Sequence, residues 1–354
     1  MWLNDAVRSA DLKRLSECLF LPWEELAGKT VFITGATGLI GRTLVDALLY
    51  HNEVCTSKVH VTALVRDISR AETLFARQLR SGCLLEFAEG TVESFAAPAG
   101  PVDYIIHCAA PTDSSFFVER PVDTVRTIVS GTENILELAR RKHVEGMVFL
   151  SSMEVYGEIR TRDKHGEADL GTVDLLSPRS SYPEGKRLAE TLCCCYASQY
   201  QVPVTVVRLV QTFGPGVDLA ADRRVFAYMA RCALAGEDIR LKTSGGKENM
   251  YLYTADAASA VLLLLLRGER GTAYNAANED TYCSVRDMGI LVADTLGGGK
   301  IRVLTNVGGD TALYRPEGYL NLDTSRLRAL GWQPSVGLED MFRRMVESAQ
   351  KAEE

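Results

Sequence analysis

The sequence predicts an α/β protein: a doubly wound parallel sheet with a smaller substrate lobe built from its C-terminal part. Three observations predict it. Short apolar runs rich in β-branched residues alternate with longer helical patterns from residue 29 to residue 209, as parallel strands joined by crossover helices do. The first run, Thr30-Val-Phe-Ile-Thr34, feeds straight into Gly35-Ala-Thr-Gly38-Leu-Ile-Gly41 and then a helical pattern. A chain of 354 residues, 46% hydrophobic and 24% charged, can hold one large sheet domain or two lobes sharing a cleft.

Residues 1–27 read as a helical extension docked on the main body, with Leu3, Val7, Leu15 and Leu19 interleaved with charges. The dinucleotide-binding domain is expected at 28–212, with 250–268 contributing. Its first strand is Lys29–Thr34, followed by a helix at 39–51 and a strand at 58–65 (Lys-Val-His-Val-Thr-Ala-Leu-Val). Then come a helix at 68–80, strands at 83–88 and 102–107, a long helix at 118–142 and a strand at 146–151. A helix at 182–200 carries Pro183 in its first turn, where the missing N–H costs little. The strand at 203–209 closes this part.

Beyond Gly214 the alternation loosens. A helix at 222–235, short strands and a helical end after 337 place the substrate lobe at 213–249 and 269–354. The apolar run Val261–Leu266 is too short to span a bilayer and reads as the buried part of a helix at 254–267.

Composition excludes several classes. A net charge of -7 argues against a nucleic-acid binder that relies on general positive charge. Asp5, Arg8, Asp11, Lys13, Arg14 and Glu17 interrupt any apolar core of a signal peptide, so no membrane association is expected. Nine cysteines without framework spacing fit a reducing, cytoplasmic setting. Cys193-Cys194-Cys195 points to different faces of one helix and reads as helix packing, so no metal site is expected.

Two motifs carry chemistry. Glycines between strand and helix allow a tight turn, close pyrophosphate approach and close helix packing, while the helix N-terminus favours anions. Tyr182 and Lys186 lie one helical turn apart and share a face. A phenol has an ordinary pKa of about 10, and a lysine charge held nearby favours phenolate. Such a pair suits taking a proton from an alcohol as a hydride leaves its carbon.

These motifs form an ordered set with His107-Cys-Ala-Ala-Pro111, Ser151-Ser-Met-Glu-Val-Tyr-Gly157, Arg208-Leu-Val-Gln-Thr-Phe-Gly-Pro215, Tyr251-Leu-Tyr-Thr-Ala-Asp256 and Leu330-Gly-Trp-Gln-Pro334. Over about residues 28–340 the set resembles the extended short-chain dehydrogenase/reductase family. The resemblance implies a tightly held nicotinamide cofactor, with Tyr182 as acid/base, Lys186 on the nicotinamide ribose and Ser152 on the reacting hydroxyl. It places the cofactor against Gly35, Thr37, Gly38, Leu39, Ile40 and Gly41, and against Ala109, Ala110 and Leu209. Arg66 follows the second strand where a ribose-binding carboxylate is usual. It could meet a 2′-phosphate, stack on adenine or simply be solvated; the family's prevailing habit makes NAD the expectation, and NADP stays open.

Within that family, 182–230 is most similar to UDP-glucuronate decarboxylases and related nucleotide-sugar enzymes, through Tyr-x-Glu-Gly-Lys-Arg, the Phe-Gly-Pro turn and Asp222-Arg-Arg-Val225. This resemblance implies a nucleotide-sugar substrate met by Pro111, Thr112, Met153, Gln211, Arg224 and Asn249, with Glu154 near the reacting carbons. Sugar 4,6-dehydratases present an Asp where Met153 stands, and a methionine delivers no proton. Decarboxylation through a 4-keto sugar is the leading expectation, with 4-epimerisation next. Gln211 replaces the family's asparagine, and Asn249 an arginine that meets phosphate, with Lys247 close by as a point charge. A nucleotide-binding scaffold without turnover is the alternative from another class. The resemblance also implies a homodimer through helices 118–142 and 182–200.

Overall fold

A computed structural model describes residues 5–80, 82–308 and 318–352. α1 (Ala6–Ser16) precedes β1 (Thr30–Thr34), α2 (Leu39–Val54) and β2 (His60–Val65). α3 (Ile68–Leu74) and α4 (Ala76–Arg80) lead to β3 (Leu85–Thr91) and its hairpin partner β4 (Ser94–Phe95). β5 (Tyr104–His107), α5 (Ser114–Glu119), α6 (Pro121–Lys142), β6 (Gly146–Ser152), α7 (Ser181–Tyr200) and β7 (Val204–Leu209) complete the alternation. After these come β8 (Gln211–Phe213), α8 (Val225–Ala235), β9 (Ile239–Arg240), β10 (Glu248–Tyr253) and α9 (Thr254–Arg267). The last elements are β11 (Ala273–Ala276), β12 (Asn278–Ser284), α10 (Val285–Thr295), β13 (Val303–Leu304), α11 (Ser325–Arg328) and α12 (Leu338–Ala352).

The main sheet has eight strands in the order β11-β7-β6-β5-β1-β2-β3-β4. Every pairing in it is parallel except β3 with β4. Chain order reverses at β1, which lies between β5 and β2. Ligands of open parallel sheets sit at such a reversal, outside the C-terminal strand ends. β5 and β7 are buried along their whole length, as strands covered on both faces are. A three-stranded sheet, β12-β10-β8, and the pair β13-β9 form the smaller part.

Several expectations need correcting. The helix expected at 118–142 is broken, because Arg120 has φ -131 and ψ 55 and the ring of Pro121 disfavours α geometry in the residue before it. The helix expected at 68–80 divides at Phe75, which is fully buried. The third strand runs on to Thr91, and Gly90 within it meets the β4 backbone at φ +150, where a Cβ would fall 2.7 Å from Ser94 O. The helix expected from 222 begins at Val225, with Arg224 at its N-cap. β11 pairs with β7, so 273–276 belongs to the main sheet and not to the substrate lobe.

The N-terminal extension docks as expected. Val7, Leu12 and Leu15 are buried, each contributing about 1.5–3 kcal/mol by leaving water. Arg8 pairs with the fully buried Asp46 of α2. Asp11 accepts from Tyr253 Oη at 2.5 Å and from Arg344 Nη1 at 3.1 Å. Leu3 lies outside the described residues. Val261–Leu265 is buried within α9, and Cys193 is buried while Cys194 and Cys195 are exposed.

Candidate active site

At the reversal, β1 ends in a turn that only glycine fits. Gly35 has φ +64, and a Cβ there would lie 2.8 Å from Ala109 N. A Cβ on Gly41 would lie 2.2 Å from Gly35 O. Gly38 is the N-cap of α2 and offers no side-chain cap. The first N–H groups of a sixteen-residue helix therefore point out with their partial positive charge, as an anion site requires. This cradle fits a dinucleotide.

Neighbouring strand ends complete that edge. Ala109 N donates to Thr34 Oγ1 at 3.1 Å, and Thr34 Oγ1 also meets His107 Nδ1 at 2.7 Å. Burial, aided by the Lys186 charge, pushes His107 down to about 3, so it is a neutral pin. Thr37, Gly38 and Thr112 are exposed, while Leu39, Ile40, Ala109, Ala110 and Pro111 are half-buried. Leu209 is buried at the end of β7, and Arg66 is exposed just beyond β2.

Three strand and helix ends then bring the expected proton-transfer residues together. Ser152 ends β6, and its hydroxyl accepts from Glu154 N at 3.2 Å. Tyr182 is the second residue of α7 and stacks on Phe117 at 4.2 Å with a 15° interplanar angle. Burial pushes its phenol up to about 12; the Ser152 hydrogen bond opposes this, Glu154 adds to it and Arg179 opposes it. Lys186, one turn on, is 3% exposed and donates to Leu150 O at 2.6 Å. Its ammonium lies 4.5 Å over the Phe149 ring and 5.9 Å from the Tyr182 ring centre. Burial pushes Lys186 down to about 8 against the pull of Glu190. Arg179 is a second cation that acts on the phenol, while the Lys186 ammonium donates to the Leu150 carbonyl.

The residues expected to meet the substrate are assembled differently. Met153 and Glu154 start the single turn Met153–Tyr156, both half-buried. Gln211 opens β8, directly opposite Tyr251 of β10, and Asn249 lies two residues earlier on that strand. Asn249 is 6% exposed, and its Oδ1 has no hydrogen-bond partner among the described residues. Arg224 is engaged by Asp222 at 2.6 Å and lies 4.7 Å over the Phe226 ring. Arg179, Phe117 and Glu190 were not expected at the site. The available signals were an arginine three residues before Tyr182 and a glutamate one turn after Lys186. Glu190 forms a buried ion pair with Arg208 at 2.7 Å, behind the lysine.

A reversal-point glycine turn, with a serine at a neighbouring strand end and a tyrosine and lysine one turn apart on α7, is the arrangement of the extended short-chain dehydrogenase/reductase class. The profile of the NAD dependent epimerase/dehydratase family matches residues 31–277, and the chain belongs to that family. UDP-glucuronic acid decarboxylase 1 of Xenopus tropicalis is 29% identical over 322 residues, covering 90% of this chain and 71% of that protein. UDP-glucuronic acid decarboxylase 5 of Arabidopsis thaliana is 28% identical over 325 residues, 90% of this chain and 88% of that one. Among solved structures, a UDP-glucose 4-epimerase of Thermotoga maritima with UDP-glucose superposes with a TM-score of 0.74 at 22% identity, over 92% of this chain and all (100%) of that one. A UDP-glucuronic acid 4-epimerase of Bacillus cereus in complex with NAD gives 0.72 at 20% identity, over 92% and 100%. These two likenesses establish the fold.

Proposed function

We propose that the protein is a NAD-dependent nucleotide-sugar enzyme that decarboxylates an acidic sugar through a 4-keto intermediate. The observation that carries the reading is the grouping of the Tyr182 phenol with Ser152 and Glu154, both of which act on its ionisation, in a chain whose curated relatives over nine-tenths of its length are UDP-glucuronic acid decarboxylases. A bound nicotinamide would accept a hydride from the sugar and later return it. Gly35, Gly38 and Gly41 would hold its pyrophosphate on α2, and Lys186 its ribose. Tyr182 Oη, as the phenolate, takes the proton of the C4 hydroxyl, and Ser152 Oγ orients that oxygen. The C4 carbonyl so formed is β to the carboxylate carried on C5. It accepts the electron pair as carbon dioxide leaves, and the enolate is then protonated at C5. Met153 holds no proton to expel a hydroxyl, which separates this site from a dehydratase.

The test incubates the protein with UDP-glucuronate and a panel of other nucleotide sugars and records product masses. Loss of carbon dioxide from UDP-glucuronate is expected; loss of water or an unchanged product mass sinks the decarboxylase reading. An unchanged mass would point to a 4-epimerase, which the uncharged Asn249 on the substrate wall favours as the second reading. Tyr182→Phe should cost at least about a hundredfold in turnover with NAD still bound. Undiminished biological activity in that variant would mark a nucleotide-binding scaffold instead. Nucleotide released on denaturation should be NAD; released NADP would give Arg66 a 2′-phosphate to meet.

The same reading makes the protein a cytoplasmic homodimer. Its nine cysteines are all free, and no helix among the described residues is long and apolar enough to cross a membrane. Val118, Val122, Val125 and Leu188 are exposed on α5, α6 and α7, where a second copy would cover them. Light scattering that finds only monomer removes this part.

A further inference from the structure

The short turn Pro178–Ser180 runs into α7 and sets Arg179 three residues before Tyr182. Arg179 Nη2 lies 3.2 and 3.3 Å from the two carboxylate oxygens of Glu154. Its guanidinium also lies 5.0 Å over the Phe117 ring, the ring that stacks on Tyr182. Nη1 is buried with no hydrogen-bond partner among the described residues. Glu154 and Phe117 therefore hold this guanidinium, and both also border the phenol.

We propose that Arg179 is a positioning residue, which clamps Glu154 in place at the reacting sugar and offsets its charge beside the Tyr182 phenol. The proposal rests on the reading above, in which Tyr182 takes the substrate proton. A carboxylate next to a phenol opposes its ionisation, and a cation paired to that carboxylate relieves the opposition. The other groups facing Tyr182 do not supply this. β6 contributes the neutral Ser152, and α5 contributes Phe117, with Asp113 and Glu119 exposed at its ends. α6 reaches α7 through Ile128 at Gly185, an apolar approach. Lys186, on α7 itself, donates a hydrogen bond to the Leu150 carbonyl. Arginine suits the post because a planar fork can pair with a carboxylate while stacking on an aromatic face.

Arg179→Met and Arg179→Lys, loaded with NAD, are to be assayed on UDP-glucuronate across pH. In Arg179→Met, kcat should fall by about ten- to a hundredfold with KM within about threefold, and the acidic limb of kcat should move to higher pH. Arg179→Lys should restore the limb, since the charge returns, but only part of kcat, since a point charge lacks the fork. An unmoved limb with unchanged kcat, or a loss confined to KM, overturns the proposal. Crystal structures of the NAD-bound wild type and Arg179→Met give a readout that needs no turnover. The Glu154 carboxylate should leave its place in the variant, and an unmoved carboxylate overturns the proposal. A wild-type enzyme inert toward UDP-glucuronate would instead sink the decarboxylase reading, with the two crystal structures still deciding on Arg179.

Discussion

The proposed cofactor edge and the proposed substrate wall of this cleft are built on different principles. At the cofactor edge the determinants are backbone. Gly35 and Gly41 leave no room for a Cβ, and the anion site is the uncapped start of α2. At the substrate wall the determinants are side chains that already have protein neighbours: Arg224 on Asp222, Glu154 on Arg179, and Asn249 buried in the second sheet. Backbone constraints tolerate almost no substitution and therefore stay readable. Side-chain constraints can be exchanged one at a time, and that is where one hydride site acquires different substrates.

The contrast can be broken by experiment, starting with the largest expected effect. Gly41→Ala puts a methyl 2.2 Å from Gly35 O, so the turn must open. Nucleotide recovered from the denatured variant should fall to nearly none; full recovery would show that the backbone edge is softer than it looks. Glu190→Gln leaves the buried Arg208 without its charge partner. Removing one member of a buried pair costs about 3–5 kcal/mol, which urea unfolding would read, and a loss under about 1 kcal/mol would mean that water already screens the pair.

Lys186 gives a dependence on pH with a definite sign. Its folded pKa is held to about 8 against an ordinary 10.5. Between those values the unfolded chain carries a proton that the folded chain lacks, so stability from this group rises with pH across the window. Below about 8 the penalty is fully present. Relative to Lys186→Met, the wild type should gain about 3 kcal/mol as pH rises through that window. Parallel unfolding curves for the two proteins would show that the ammonium is not paying a burial penalty. The smallest effect belongs to Asn249→Ala. It removes an amide oxygen that has no hydrogen-bond partner among the described residues, so stability should shift by less than about 1 kcal/mol. KM for UDP-glucuronate should rise by less than about tenfold, and a larger rise would make Asn249 a principal substrate contact.

Legibility in the sequence followed the same division. β1, β2, β3, β5, β6 and β7 announce themselves by apolar runs, and the glycine turn by its spacing. Both are local signals. β11 was missed because Ala-Tyr-Asn-Ala has no strand pattern of its own; it becomes a strand by pairing with β7. The break at Arg120 was written in Pro121 but was outweighed by the helical periodicity around it. Tyr182 and Lys186 stand out because one turn separates them. Arg179 did not, because its meaning depends on Glu154, 25 positions away, and on the ring of Phe117.

α1 carries a consequence for how the chain comes together during synthesis. Asp11 is joined to Tyr253, 242 positions later, and to Arg344, 333 positions later. Burial raises the pKa of this carboxyl while both partners favour its charged form. A nascent chain that has already made the glycine turn and α2 still lacks the phenol and the guanidinium that Asp11 needs. α1 can therefore settle on α2 through its leucines early, but its polar half closes only after translation has passed α12. A ribosome stalled between α9 and α12 should display α1 as protease-sensitive beside an already resistant parallel sheet.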